Sequence, residues 1–385
     1  MTRSPAGRAR LGAIGVAQLV VLELALAAAM LALPLPRPVL AGVATLSALV
    51  LLFTFGRLGG RWWYAGIAVW RRLRGRRRAD RAAGTALARP GAPADFAPSP
   101  RLSTVAERGG SLGVAFDGAG WYAAMAVEQD EPPARAFDVL AQILAHGGSP
   151  VSSVQVLTQS VPVPSTGVDP GALCALSYRE LLGGDPTVAH RETWCAARLD
   201  VVDAAPVAAG RGGGEQGVHR ALTSTVSRLT KGAEGAGVRL RALGETELAH
   251  AIRRSVGGET VAVAVADGVR ERWNSWHVGT LAQVTYALHG RLAEPRVVRR
   301  LWTAVTELPA DFTTVSVSMR RLTARRGDER LDVRCLVRLA GDEDRIEEIC
   351  GRLAALARAY RVRLKRCDGE QGPSVYASAL TGGGW

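Results

Sequence analysis

Gly210-Arg211-Gly212-Gly213-Gly214-Glu215-Gln216-Gly217 contains G-x-G-x-x-G and opens a helical pattern. Backbone amides at such a helix start can cradle a phosphate. The run trails the preceding strand pattern by several residues, and no Lys-Ser/Thr follows it. A flexible loop or tight backbone turn is therefore the favoured reading, with anion binding by Gly210–Gly217 left open. No G-x-x-x-x-G-K-[ST] occurs, which argues against a P-loop ATPase.

Asp342-Glu343-Asp344 has the acidic spacing that metal-dependent glycosyl transferases use. At a helix start the same carboxylates stabilise the N-terminal dipole by about 0.3–1 kcal/mol each, which explains them more simply. Asp200-Val201-Val202-Asp203 reads as a strand end, and Gly369-Glu370-Gln371-Gly372-Pro373 as a turn. Trp273 and Trp276 could dock a partner, since Trp is favoured at binding hot spots, although packing at a strand entry accounts for them better. The five cysteines (Cys174, Cys195, Cys335, Cys350, Cys367) form no CxxC pair and have no histidine at metal spacing, so they read as buried thiols. No catalytic set, metal site or cofactor follows from these residues.

Charge separates the chain into two parts. The net charge is +13, a value that could point to nucleic acid. Residues 1–81 hold 13 arginines against Glu23 and Asp80, or +11, and the remainder carries 35 basic and 33 acidic residues, or +2. The basic excess belongs to the N-terminal part, where each Arg near anionic lipid headgroups contributes about 1 kcal/mol. A nucleic-acid partner is not indicated.

The elements that would hold such a charge belong to a membrane anchor. Leu11–Leu33 is apolar except for Gln18 and Glu23, and Val39–Phe55 except for Thr45, Ser47 and Thr54. Pro34, Pro36 and Pro38 interrupt them. At ~1.5 Å per residue the two runs give roughly 34 and 26 Å of helix against a hydrocarbon core of ~30 Å. Two transmembrane helices are expected, about 11–33 and 39–57, within an anchor at 1–58. Arginines crowd both ends of the hairpin, and the turn carries only Arg37, so both termini are expected in the cytoplasm of a two-span inner-membrane protein. A cleaved signal peptide is the rival reading, but the first run exceeds the usual 7–15 residues and a second follows at once. Glu23 falls near mid-span, where a charged side chain costs ~2.5–3.5 kcal/mol. A hydrogen bond inside the hairpin is the favoured fate for it, and a contact with another subunit's helix or a proton-sensitive group is the functional one. Gln18, Glu23, Thr45, Ser47 and Thr54 are the candidate intramembrane polar contacts.

Residues 59–81 form a basic, aromatic juxtamembrane segment in which Trp63, Ile67 and Trp70 share a helical face. Arg57, Arg61, Trp62, Trp63, Trp70, Arg71 and Arg72 are the candidate membrane-interface residues, suited to anionic headgroups. A Pro/Ala-rich linker is expected over 82–104.

The remainder reads as a cytoplasmic α/β domain with subdomains at 105–258 and 259–385. Residues 278–288 form a strand and Pro295 opens a helix with Val298, Leu301, Trp302, Val305 and Leu308 on one face. Thr313–Leu322 is a strand, and Glu329–Leu339 alternates apolar odd positions with polar even ones. A helix from Asp342 and a strand near Arg361 complete a βαββαβ, ferredoxin-like order. The earlier half gives a similar order: strands at 112–127, a helix at 134–146, a strand at 153–161, an inserted helix near Leu173–Leu182, a strand at Glu192–Val202, then a helix and a strand at Val238–Leu243. Two duplicated units joined by the helix Glu245–Val256 are expected.

Ser177-Tyr178-Arg179-Glu180-Leu181-Leu182-Gly183, Arg191-Glu192-Thr193-Trp194, Arg211–Arg220 and Asp368–Val375, together with the hairpin and arginine block, resemble the EccE component of actinobacterial type VII secretion systems. The resemblance implies a structural subunit of the inner-membrane core complex beside EccB, EccC and EccD, with EccC as the ATPase and no catalytic residues to carry over. The alternative is a membrane-tethered enzyme or sensor, glycosyltransferase-like or nucleotide-binding.

Overall fold

A computed structural model describes residues 10–11, 14–34, 36–58, 61–83, 100–107, 110–128, 139–142, 150–163, 173–181, 187–257, 269–289, 295–323 and 329–384. The chain divides into two units, Met1–Ala79 and Asp80–Trp385.

The first unit is built on helices α1 (Val16–Ala32), α2 (Arg37–Phe55) and α3 (Trp63–Ala83). Helix α1 is shorter than the apolar run from residue 11, because Arg10–Leu11 pairs with Ile14–Gly15 ahead of it. Helix α2 starts two residues before the expected 39, since Pro38 falls in its first turn, where the missing N–H is an orphan anyway. Among the described helices only Arg37–Phe55 is long and apolar enough to cross a membrane, and Gln18–Ala32 is apolar but shorter. Helix α1 packs on α2. The stripe drawn from exposure on α1 is Gln18, Val21, Ala25, Ala29 and Ala32, and on α2 it is Leu40, Val43, Ser47, Leu51 and Thr54. Both stripes recur at the three-then-four spacing of a helix–helix seam.

The second unit contains one antiparallel sheet. Its strands are β1 (Arg101–Glu107), β2 (Gly110–Phe116), β3 (Gly120–Val127), β4 (Ser153–Val163), β5 (Thr187–Asp200), β6 (Leu240–Ala242), β7 (Val269–Glu271), β8 (Trp276–Val278), β9 (Leu281–His289), β10 (Phe312–Thr323), β11 (Glu329–Asp342) and β12 (Arg363–Arg366). They run in the order β7-β8-β9-β11-β10-β4-β5-β3-β2-β1, with β6 added beside β3 and β12 beside β9. Strands β4 and β10 join the two halves, paired from Ser153 opposite Arg320 to Ser160 opposite Thr313, with Leu157 facing Ser316 midway.

Alternation gives the sheet two different faces. On the first, Val154, Val156, Cys195, Ala197 and Leu199 meet helices α5 (Val201–Ala209) and α6 (Gly214–Gly235). On the same face Val315, Val317, Val337 and Leu339 meet α8 (Pro295–Thr306) and α9 (Ile346–Ala359). Each large aliphatic side chain withdrawn there contributes about 1.5–3 kcal/mol. On the second face Tyr122, Leu157 and Trp194 pack with Leu248 and Ile252 of α7 (Glu245–Ser255). Trp276 and Val278 pack there with Val375 of α10 (Gln371–Ser378). Helix α4 (Leu173–Leu181) stands between β4 and β5 in sequence.

Several expectations change. The single strand at 278–288 is two, β8 and β9, because Gly279 takes a left-handed φ of 58° and turns the chain between them. The strand expected at 192–202 stops at Asp200, and Val201 and Val202 begin α5. Strand β11 runs on through Asp342, so Asp342-Glu343-Asp344 precede α9, whose first turn carries Glu347 and Glu348 instead. The turn expected at 369–373 opens a helix, α10. Strand β1 begins at Arg101, inside the stretch expected as linker, while 84–99 lies outside the described residues. Of the helix expected at 134–146, only 139–142 is described, with Leu140 buried.

Helix α7 is held tightly against β2: a Cβ on Gly113 would lie 2.7 Å from the Gly244 carbonyl and 2.8 Å from Glu245 Cα. Gly113→Ala is therefore expected to cost about 1–3 kcal/mol in urea unfolding. Gly110→Ala, where a Cβ meets nothing within 4 Å, is expected to stay within about 0.5 kcal/mol.

Candidate functional site

The residues singled out in the first unit fall in different settings. Gln18 is buried, and its amide Nε2 donates to the Thr54 carbonyl at 3.2 Å. The hydroxyls of Thr45 and Thr54 donate within their own helix, to the carbonyls of Ala41 at 2.8 Å and Val50 at 2.7 Å. Ser47 lies on the α2 seam, half-buried. Glu23 is exposed, two residues from both Val21 and Ala25, and so about 160° round the helix from the face that meets α2. A bond inside the hairpin is not open to it. Arg57, Arg61 and Trp62 lie in a short pairing of Arg57–Leu58 with Arg61–Trp62, and Trp63 starts α3. On α3, Trp70, Arg71 and Arg72 are exposed, Val69 and Leu73 are buried, and the Arg74 guanidinium stacks 5.1 Å from the Trp70 ring centroid.

The strongest polar constellation of the second unit was not proposed as a site from the sequence, which read Asp200 only as part of a strand end. Arg198 of β5 is fully buried. Its Nη1 donates to Asp117 Oδ2 at 2.7 Å and to the Thr381 carbonyl at 3.0 Å, and its Nε donates to Asp200 Oδ1 at 2.8 Å. The Tyr376 hydroxyl donates to the same Asp117 carboxylate, and Arg320 from β10 pairs with Asp200. Asp117 also accepts from the backbone amides of Ala119 and Gly120 at 2.9 and 2.8 Å, which closes the β2–β3 turn. Burial alone would raise the Asp117 pKa; the Arg198 guanidinium, Tyr376 and the Ala119 amide outweigh it and hold the carboxyl below its usual range. Tyr376 and Tyr122 are pushed upward by burial and by the nearby Asp117 charge.

Beside this cluster, Gln155 of β4 binds a whole stretch of backbone. Its Nε2 donates to Ser316 Oγ at 2.8 Å and to the carbonyls of Ala377 and Ala379 at 3.1 and 2.8 Å. Its Oε1 accepts from the amides of Thr381 and Gly382 at 3.3 and 2.9 Å. Ser153 Oγ donates to the Gly382 carbonyl at 2.8 Å. Gly382 has a φ of 73°, and a Cβ there would lie 2.5 Å from Arg198 Cβ, so glycine is what lets this segment lie on the arginine.

Arg338 of β11, equally buried, has a different kind of partner. Its Nη1 donates to Gln283 Oε1 at 2.9 Å, and its Nη2 donates to the Ser255 carbonyl and to Thr314 Oγ1, the latter at 3.2 Å. Ser255 ends α7, where unpaired carbonyls and the negative end of the helix dipole favour a cation. Burial pushes the pKa of this guanidinium down.

A third grouping lies at the β7–β8 turn. Ser275 Oγ is 2.7 Å from His277 Nε2, and His277 Nδ1 is 3.8 Å from Glu343 Oε2. Burial and the nearby Arg272 lower the His277 pKa against the pull of Glu343. Ser275 and His277 are both buried, Trp276 packs with Val278 and Val375, and Trp273 is exposed. The glycine run at 210–217 links α5 to α6: Gly212, Gly213 and Gly214 all have positive φ, and Arg220 Nη1 donates to the Arg211 carbonyl at 2.7 Å across the turn. Cys195, Cys335, Cys350 and Cys367 are buried and form no disulfide. Among the described residues no three His, Cys, Asp or Glu side chains are grouped to hold a metal ion.

Residues 187–288, from the start of β5 to the penultimate residue of β9, match the family described as "Putative type VII ESX secretion system translocon, EccE". Among curated proteins no match is found.

Removing Arg198 leaves the buried Asp117 carboxylate without its cation, so Arg198→Met is expected to cost on the order of 3–5 kcal/mol by chemical denaturation. The lowered Asp117 pKa fixes a sign for pH. Its contribution is present above the unfolded value of about 3.9 and is lost as pH falls through the lower folded value. In acid titrations followed by circular dichroism, Asp117→Asn should show a shallower loss of stability below about pH 4 than the parent.

Proposed function

We propose, taking the EccE match over residues 187–288 as premise, that this chain is a non-catalytic structural subunit of a type VII secretion core complex in the cell inner membrane. That match is the observation on which the reading rests. In this reading α1 and α2 are two membrane spans with both termini and the sheet domain in the cytoplasm, and the exposed Trp70, Arg71 and Arg72 of α3 meet anionic headgroups. The 13 arginines of residues 1–81 support the orientation. The Gln18–Thr54 bond supports α1 and α2 as one hairpin inserted together. The complex would be completed by the EccB, EccC and EccD components, EccC hydrolysing ATP. The deeply buried charges of the domain are engaged in holding backbone: Arg198, Asp117 and Asp200 secure the β2–β3 turn and the segment after α10, and Arg338 the end of α7. That use of buried charge supports an assembly role.

The domain also reads as two copies of a ferredoxin-like βαββαβ unit, each preceded by a hairpin and followed by a helix. The strand orders β6-β3-β5-β4 and β12-β9-β11-β10 are the same. Gly118 and Gly279 both take left-handed φ in the turns before β3 and β9. The Leu243 amide donates to the Ala124 carbonyl at 3.0 Å just as Cys367 donates to Thr285 at 2.9 Å, and α7 and α10 follow at once. Leu157 opposite Ser316 is where a two-fold axis between the copies would pass.

The membrane-tethered enzyme reading has the Ser275–His277–Glu343 grouping in its favour. With Ser275 buried and 3.8 Å between imidazole and carboxylate, the grouping is better explained as packing.

A carboxyl-terminal tag is expected to resist protease added to intact cells and to be cut once the cells are opened. Native purification in mild detergent should bring down other membrane proteins of the secretion system. A tag reached from outside, or a solitary monomer labelled by a fluorophosphonate at Ser275, overturns the proposal.

A further inference from the structure

We infer that α1 carries, on the face turned away from α2, a docking seam for a membrane-spanning helix of another subunit, one that sets a hydrogen-bond donor against Glu23. This rests on the reading of α1 and α2 as membrane spans and goes beyond it by naming the surface and the chemistry of its occupant. The seam toward α2 is filled by Gln18, Val21, Ala25, Ala29 and Ala32. Opposite it runs a second stripe of the same spacing, Val20, Glu23, Ala27 and Met30, exposed throughout, with Val20 at 46 % and Met30 at 67 %. Glu23 is the single ionisable residue of α1 and stands at its middle.

The hairpin has little to offer this carboxyl. Gln18 is committed to the Thr54 carbonyl, and Thr45 and Thr54 are bonded within α2. In hydrocarbon a carboxyl without a partner is strongly disfavoured, and such groups face protein or water. Ala27, one turn further on, is small enough to let another helix approach closely, as helix pairs in lipid require. Charge complementarity selects the occupant. A second copy would set one Glu23 against another, whereas a helix bearing Arg, Lys, an amide or a hydroxyl at mid-depth supplies what the carboxyl lacks.

The test uses the full-length chain in native membranes. A photo-crosslinking residue at position 27 is expected to capture a membrane-spanning peptide of a different protein, identified by mass spectrometry and containing a donor side chain, whereas one at position 25 stays within the hairpin. Glu23→Leu should lower both the crosslink and co-purification roughly ten-fold, and Glu23→Gln, whose amide still bonds, should retain most of each. Crosslinks to lipid or to a second copy alone, or an undiminished complex with Glu23→Leu, overturn the inference. Resistance to alkaline carbonate extraction is read in parallel. If the parent chain is extracted, the membrane-span reading itself falls; if it stays and the crosslink is missing, only the docking seam does.

Discussion

A sheet of twelve strands has two broad faces to cover, and one of them is polar across its middle. Gln155, Ser153, Arg198, Ser316, Thr314 and Arg338 all project to the side opposite the aliphatic cores. Withdrawing such groups from water costs free energy unless each finds a partner, and for a guanidinium the cost is severe. Whatever covers that face must therefore bring acceptors and donors as well as apolar area. The residues after α10 meet the requirement with bare backbone, and the end of α7 does so with its terminal carbonyls. The architecture of the second unit follows from this demand: polar strands at the seam, and a closely fitted chain laid over them.

That arrangement explains why the arginines differ. Among the described residues most of them lie on the surface, where a single charge contributes little. Arg198 and Arg338 are placed where water is excluded, and each fastens elements far apart in sequence. Arg198 links β5 to the β2–β3 turn and to Thr381, and Arg338 links β11 to β9, β10 and α7. Fastening of this kind gives a domain one defined shape, which is what a subunit needs if it acts by presenting surfaces to neighbours.

On the proposal that α1 and α2 span a membrane, the first unit answers the same constraint in a different solvent. In lipid, apolar surface needs no cover and polar side chains do. Gln18 and Thr54 meet this inside the hairpin, and Ser47 lies on the seam. Glu23 falls on the other side of α1 because the stripe toward α2 advances by three and four residues, leaving position 23 opposite positions 21 and 25. The same helix can thus serve one partner within the chain and another outside it.

Amino-acid order alone determined the local elements whose burial is periodic. The apolar runs behind α1 and α2, the alternation of Leu331 through Leu339 in β11 and the one-sided stripe of α9 are all set by which residues recur at two or at three-to-four positions. The order of helices and strands in the C-terminal half was legible for that reason. Tertiary structure decided what pairs with what. Ser153–Ser160 gains its place only when β10 lies beside it, and nothing near Arg198 in sequence except Asp200 marks its carboxylate partners, since Asp117 is 81 residues away. The helix after Gly369 was hidden because its anchoring contacts, including the Thr285 amide donating to Gln371 Oε1, come from distant chain, and β7 and β8 because three residues each are too few for a period to register. Periodicity reports a residue's own environment, whereas a buried polar contact is a property of two distant positions, and only folding brings them together.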